Sequence, residues 1–184
     1  MDKSSFKLVQ LYLSGDKVYS GCEADLIGEA SDFETNLGYN LDDEQILDMN
    51  YVAKHIGKKS TSRITASGAL AGKSYKIFRG TIDFVNGAKA SVGNENEDVL
   101  ILDDGVINKT IPLILCAEED VEGNHGATIG KPDEDILFYL ASRGIDEKES
   151  LRMLKLAKLD VAASHICDDE YRAEILRYIH GDTE

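Results

Sequence analysis

Over the first 130 residues, short apolar runs alternate with polar ones. Beyond that point the spacing becomes helical, so the chain predicts a β-rich unit followed by a small α-helical one. Ser5 to Leu13 puts Phe6, Leu8, Gln10 and Tyr12 on one parity, the mark of a strand with one wetter face, and Ser14-Gly15-Asp16 turns it. Val18 to Ser20 and Ala24 to Ile27 predict two further short strands, with Gly21 and Gly28 at the corners. Tyr39 to Gly57 reads two ways: Ile46, Met49 and Val52 or Ala53 keep helical spacing, and a strand through Ile46 to Val52 fits equally well. From Ser60 the strand reading strengthens, through Ser62 to Ala66 and Tyr75 to Phe84. It continues in Val99, Ile101, Ile107, Ile111, Leu113, Leu115, Val121 and Ile129, whose runs are broken by Asp-Asp-Gly, Asn-Lys, Glu-Glu-Asp and Gly-Asn-His-Gly.

Ile64, Ile82 and Ile101 recur at a spacing near twenty residues with glycine or asparagine between them, a period that predicts a solenoid of stacked coils. No interior helix of normal length interrupts Ser60 to Gly130, which argues against an α/β crossover sheet. After Gly130, Asp135 to Arg143 predicts a helix with Ile136, Leu137 and Leu140 inward and Gly144 as its stop. Asp146 with Glu149 three residues later resembles a capping box, opening a helix whose face is marked by Leu151, Leu154 and Val161. Asp168 or Asp169 caps a third, striped by Tyr171, Ile175 and Ile179 and ended by Gly181. The expected organisation is therefore a β core over residues 1–130 and a helical segment over residues 131–184.

Composition narrows the function classes. With 184 residues, 42% hydrophobic and 29% charged, the chain can bury a substantial core. A net charge of -14 lacks the basic footprint that phosphate backbones require, so no nucleic-acid partner is expected. No apolar run approaches a membrane span, and MDKSSFKLVQ has no secretory pattern, so the expectation is a cytoplasmic protein without a membrane partner. The three cysteines, Cys22, Cys116 and Cys167, are widely spaced and contain no C-x-x-C pair, which supports neither a disulfide framework nor a zinc ribbon.

Candidate chemistry concentrates between Asp98 and Gly130. Cys116 and His125 offer a thiolate and an imidazole beside Glu118, Glu119, Asp120 and Glu122, a donor set better suited to iron or zinc than to magnesium. The competing reading makes Cys116 a small core hydrophobe and the acids a solvated corner. Ser67 to Ser74 ends in Gly-Lys-Ser like a phosphate-binding loop, but its first glycine is replaced by Ser67 and a β-rich segment follows where a helix is needed. His165 and Cys167 sit two apart, a poor helical spacing for one shared ion. His55 and His180 read as surface or capping residues, and Arg63, Lys73, Lys76 and Arg79 as a solvated face.

LCAEEDVEGNHGATIG followed by DEDILFYLASRGI closely resembles the C-terminal part of the SufB/SufD family of iron-sulfur cluster assembly scaffolds, and FRGTIDF and GAKASVGNENEDVLILDDGVINKTIPLIL continue the match. The resemblance runs from about Asp48 to Ala157, with ADLIGEAS fitting less closely. It implies a right-handed parallel β-helix followed by a helical segment, and a non-enzymatic scaffold. It further implies binding of a SufC-type ABC ATPase through Ile136 to Leu159, and association through the β-helix with a SufB/SufD-like paralogue or a second copy. The histidine of the family's HGA-type motif, proposed as a cluster ligand in the SufD branch, falls on His125. Gly126 after it matches the SufD-like form. The SufB-branch cysteine falls near Glu97, and Cys116 matches another cysteine before the motif. Together they imply His125, Cys116 and Glu97 as metal candidates for a transient iron-sulfur cluster that is not permanently bound. Alternatives are a purely structural, protein-binding β-solenoid with no metal of its own and, last, a β-helix enzyme acting on acidic polysaccharide, which the charge disfavours.

Overall fold

Nine strands and three helices make up residues 1–181, the part of the chain that the computed structural model describes. The strands are β1 (Ser5–Tyr12), β2 (Lys17–Leu26), β3 (Asp32–Leu41), β4 (Ile46–His55), β5 (Thr61–Leu70), β6 (Tyr75–Phe84), β7 (Ser91–Ile101), β8 (Ile107–Cys116) and β9 (Val121–Gly130). Odd-numbered strands form one parallel sheet in the order β1-β3-β5-β7-β9, and even-numbered strands form a second, β2-β4-β6-β8. The chain thus winds as a parallel β-solenoid of about four turns, each contributing one strand to each sheet.

Coil length follows from the pairing. Ser5 stands beside Asp32, Asp32 beside Thr61 and Thr61 beside Val92, offsets of 27, 29 and 31 residues. The spacing near twenty expected from Ile64, Ile82 and Ile101 is therefore not the coil repeat. Those residues lie on β5, β6 and β7, so successive ones sit on opposite sheets. Val18 to Ile27 likewise holds one strand, β2, with Gly21 inside it rather than at a corner, and Ile46–His55 resolves to the strand alternative.

Alternation places one parity of every strand inside the solenoid. Phe33, Leu37, Tyr39 and Leu41 of β3 face Leu47, Met49, Tyr51 and Ala53 of β4, joined by Ile64, Ala66, Leu70, Phe78 and Val99 in one buried cluster. One corner is built the same way in successive coils. Lys3, Ala30, Lys59 and Ala90 adopt φ of 55, 55, 56 and 58°, and their N–H groups donate to the carbonyls of Glu29, Lys58, Lys89 and Asp120 in the next coil. The hydrogen bonds offset the strain of a left-handed conformation in residues other than glycine.

Three helices follow: α1 (Glu134–Ser142), α2 (Glu147–Ala163) and α3 (Asp169–His180), with Asp133, Asp146 and Asp168 accepting from backbone N–H groups in their first turns. Gly181, at φ 79°, closes α3. Helix α2 lies across the outer face of β1, β3 and β5. Its buried residues are Ser150, Leu159, Ala162 and Ala163, whereas Val161 is exposed, so the contact face is rotated from the one the leucine spacing implies. Gly38 explains the close approach: a Cβ there would meet the Ala162 Cβ at 2.8 Å. Lys155 pairs with Asp42 at 2.5 Å and Lys158 with Asp98 at 2.6 Å along the rim. On α1, Leu137 and Leu140 are half-buried as expected, but Ile136 is exposed with Phe138 and Tyr139.

Candidate functional site

The interior of the solenoid is mostly apolar through β3 and β4, with Thr35 and His55 as inward polar residues, and becomes charged between β6 and β7. Lys76, a residue expected on a solvated face, is fully buried, because its parity on β6 is shared with Phe78, Ile82 and Phe84. Its ammonium forms an ion pair with Glu97 from the opposite sheet. Burial holds the Lys76 pKa down, and the Glu97 carboxylate opposes that shift. Glu97 also accepts from the Tyr39 hydroxyl at 3.2 Å and from the Thr110 hydroxyl at 2.5 Å. Gly68, in register with Tyr39, leaves room for the Tyr39 ring, which a Cβ would strike. Burial, then Glu97, raises the Tyr39 phenol pKa well above its ordinary value.

Glu95 lies two residues away on the same inward parity and is 3% exposed, and its Oε2 has no hydrogen-bond partner. Its carboxyl group rests against the backbone of Gly80 on the facing sheet, where a Cβ would collide with it. Burial, followed by repulsion from Glu97, raises its pKa to about 7 against the pull of Lys76. His55 was also expected at the surface but is fully buried. Its ring stacks on Phe84 at 4.7 Å, with both nitrogens 2.8 Å from hydroxyls, those of Ser60 and Ser62.

Among the described residues, no further strand pairs with the outer edge of the last coil, β8 and β9. Its inward parity continues the stacks beneath, so that Thr110 follows Phe78, Pro112 follows Gly80, Cys116 follows Phe84 and His125 follows Glu95. Cys116 and His125 therefore both face the open end of the interior, and both are exposed for want of another coil above them. They do not adjoin. Cys116 stacks above Phe84 at the end of β8, whereas His125 stacks above Glu95, whose carboxyl group lies against Gly80 further back on β6, and the Cys116 thiol donates to the Glu118 carbonyl at 3.0 Å. Glu97 sits one layer lower and is committed to Lys76, Tyr39 and Thr110. Among the described residues, no three His, Cys, Asp or Glu side chains converge as a metal-binding group. Ile107, Ile111, Leu113, Leu115 and Ile129, on the same last coil, are 45–49% exposed.

Elsewhere the geometry is structural. Gly72-Lys73-Ser74 is a corner leading into β6, with the Gly72 N–H bound by Asp103, and no helix opens there. Glu118 caps its own corner by accepting from the N–H groups of Gly87, Glu119 and Asp120, which lowers its pKa. His165 pairs with Glu34 at 3.3 Å and His180 with Asp160 at 2.9 Å, and both ties hold helices in place. No helix among the described residues is long and apolar enough to cross a membrane.

Residues 1–158 match the SUF system FeS cluster assembly, SufBD core domain family. The chain belongs to the SufB/SufD family. An iron-sulfur cluster assembly SufBD family protein of Mycobacterium tuberculosis is 30% identical over 130 residues, which cover 71% of this chain and 15% of that protein. The iron-sulfur cluster assembly protein SufD of Bacillus subtilis is 32% identical over 100 residues, covering 54% and 23%. A SufBD family protein of Staphylococcus haemolyticus is 29% identical over 140 residues, covering 76% and 30%. The chain thus spans less than a third of the length of these relatives. The SufBD match runs from the first strand through α1 and most of α2, so it also takes in the N-terminal residues around ADLIGEAS.

Proposed function

We propose that this SufBD chain is a non-catalytic scaffold for nascent iron-sulfur clusters, working in the cytoplasm with a SufC-type ABC ATPase. The observation that supports it most is the open last coil, which presents His125 and Cys116 at the end of the interior and carries exposed Ile107, Ile111, Leu113 and Leu115 on its outer face. An unpaired strand edge with apolar neighbours favours a second solenoid as its partner, either a copy of this chain or a SufB/SufD-like paralogue. Two chains meeting there would bring together ligands that one chain holds apart. The cluster is cargo on this reading: imidazole and thiolate suit iron and sulfide, and exposure suits release. Glu97 could join them only if its bonds to Lys76, Tyr39 and Thr110 opened. The strands through residue 130 form the cluster-bearing core, and the segment from residue 131 carries the ATPase contact, with Ile136, Phe138 and Tyr139 as the exposed apolar residues of α1.

Co-purification with a SufC-type ATPase tests the docking half. The wild-type chain should retain the ATPase, and Phe138→Asp should release it while the solenoid stays folded. Retention by Phe138→Asp and by the companion Tyr139→Asp would remove α1 from the contact. The lack of a converging group of three metal-binding side chains among the described residues favours a second reading, a docking solenoid without metal. ATPase binding with no iron retained in any assembly would select it.

A further inference from the structure

We infer that Glu95 and His125 together form a divalent-cation site at the open end of the solenoid, with the carboxylate supplied from one layer beneath the imidazole. The inference rests on the reading of that end as a metal-handling face and adds to it a ligand from inside the core. Glu95 is 3% exposed and its Oε2 has no hydrogen-bond partner, although a buried carboxylate oxygen left unpaired is destabilising. No surrounding group among the described residues offers the oxygen a donor. Gly80 opposite presents only bare backbone to the carboxyl group, and Pro112, in register above Gly80, has no N–H to donate. Thr110 is already bonded to Glu97, and Gly123 and Ala127 carry no polar side-chain atom.

His125 is the next residue in the ladder above Glu95, on the same face. Adjacent strands lie ~4.8 Å apart, and neighbouring side chains at that spacing can share an ion held by one oxygen and one nitrogen at about 2.0–2.2 Å. One carboxylate oxygen with one imidazole nitrogen selects iron(II), cobalt(II) or zinc over magnesium and calcium, which prefer all-oxygen shells. Exposure of His125 leaves the outer positions of such an ion open to sulfide or to a partner chain.

Co2+ alone is the probe, titrated calorimetrically into the full chain. Wild type should bind saturably. Glu95→Gln, which preserves shape, and His125→Ala should each weaken binding by about tenfold or more. Glu122→Gln, an exposed acid on β9, should leave it unchanged. X-ray absorption of the wild-type Co2+ protein should show an imidazole in the shell, a readout that does not depend on how any variant folds. No saturable binding by wild type, equal binding by Glu95→Gln, or an all-oxygen shell would overturn the site. Loss with His125→Ala but not with Glu95→Gln overturns this pair and leaves the cluster scaffold standing. Co2+ binding that needs both residues, in a chain that never retains sulfide with iron, overturns the scaffold reading alone.

Discussion

Lys76 and Glu97 meet inside the solenoid from opposite sheets, with side chains 0% and 1% exposed. The pair ties β6 to β7, and through Thr110 it reaches the last coil. Its worth lies in the cost of breaking it. A charge left alone in that interior destabilises by about 3–5 kcal/mol, whereas removing both charges is nearly neutral. Lys76→Met should therefore lower the unfolding free energy by about that amount in a urea titration, and Lys76→Met with Glu97→Leu should recover much of the loss. Equal stabilities for the single variant and the wild type would show that the pair is not desolvated.

Helix α2 docks over small residues, and Gly38 is the tightest of them. A side chain at this position meets Leu11 and Ala162 at 2.7 and 2.8 Å. Gly38→Val should destabilise the chain by about 1–3 kcal/mol and raise amide exchange through residues 147–163, while β6 to β8 keep their protection. Unchanged exchange in α2 would contradict this docking.

His55 makes acid stability dependent on one ring. Burial lowers its pKa from the ordinary 6.5 to about 4. Between those values the unfolded chain binds a proton that the folded chain does not, so His55 costs stability as pH falls from about 6.5 to about 4 and none above that window. Glu95, whose pKa is raised from 4.5 to about 7, acts in the opposite sense over much of that interval, so the test is differential: the thermal midpoint of wild type should fall relative to that of His55→Gln as pH drops across it. A parallel drop in both proteins would assign the effect to other groups.

Much of the fold was legible in the sequence because alternation and the later helical spacing are local properties. The strands from Tyr75 onward, the caps at Asp146 and Asp168 and the stop at Gly181 all follow from residues a few positions apart. The coil length was not legible. It depends on which residues stack between coils 27–31 positions apart, and on corners formed by Lys3, Ala30, Lys59 and Ala90, which carry no glycine signal. Lys76 and His55 were misplaced for a related reason. Charged and polar side chains suggest solvent unless the parity of Phe78, Ile82 and Phe84, or of Met49, Tyr51 and Ala53, is given more weight. Glu95 was missed because charge falls on both parities near it, at Glu95 and Glu97 inside and Asp98 outside, although Gly93 and Val99 share its inward side. His125 and Cys116 are recognisable in sequence by their motif, but their separation at the open end becomes visible only once the ladders set Cys116 above Phe84 and His125 above Glu95.

Anaerobic reconstitution with ferrous iron and sulfide, read as iron and sulfide retained per chain after desalting, bears most directly on the scaffold assignment. Wild type should retain both in comparable amounts, His125→Ala should lose most of each, and Cys116→Ala should lose a smaller share. Equal retention by all three proteins would contradict the assignment of the open end as the cluster-bearing face.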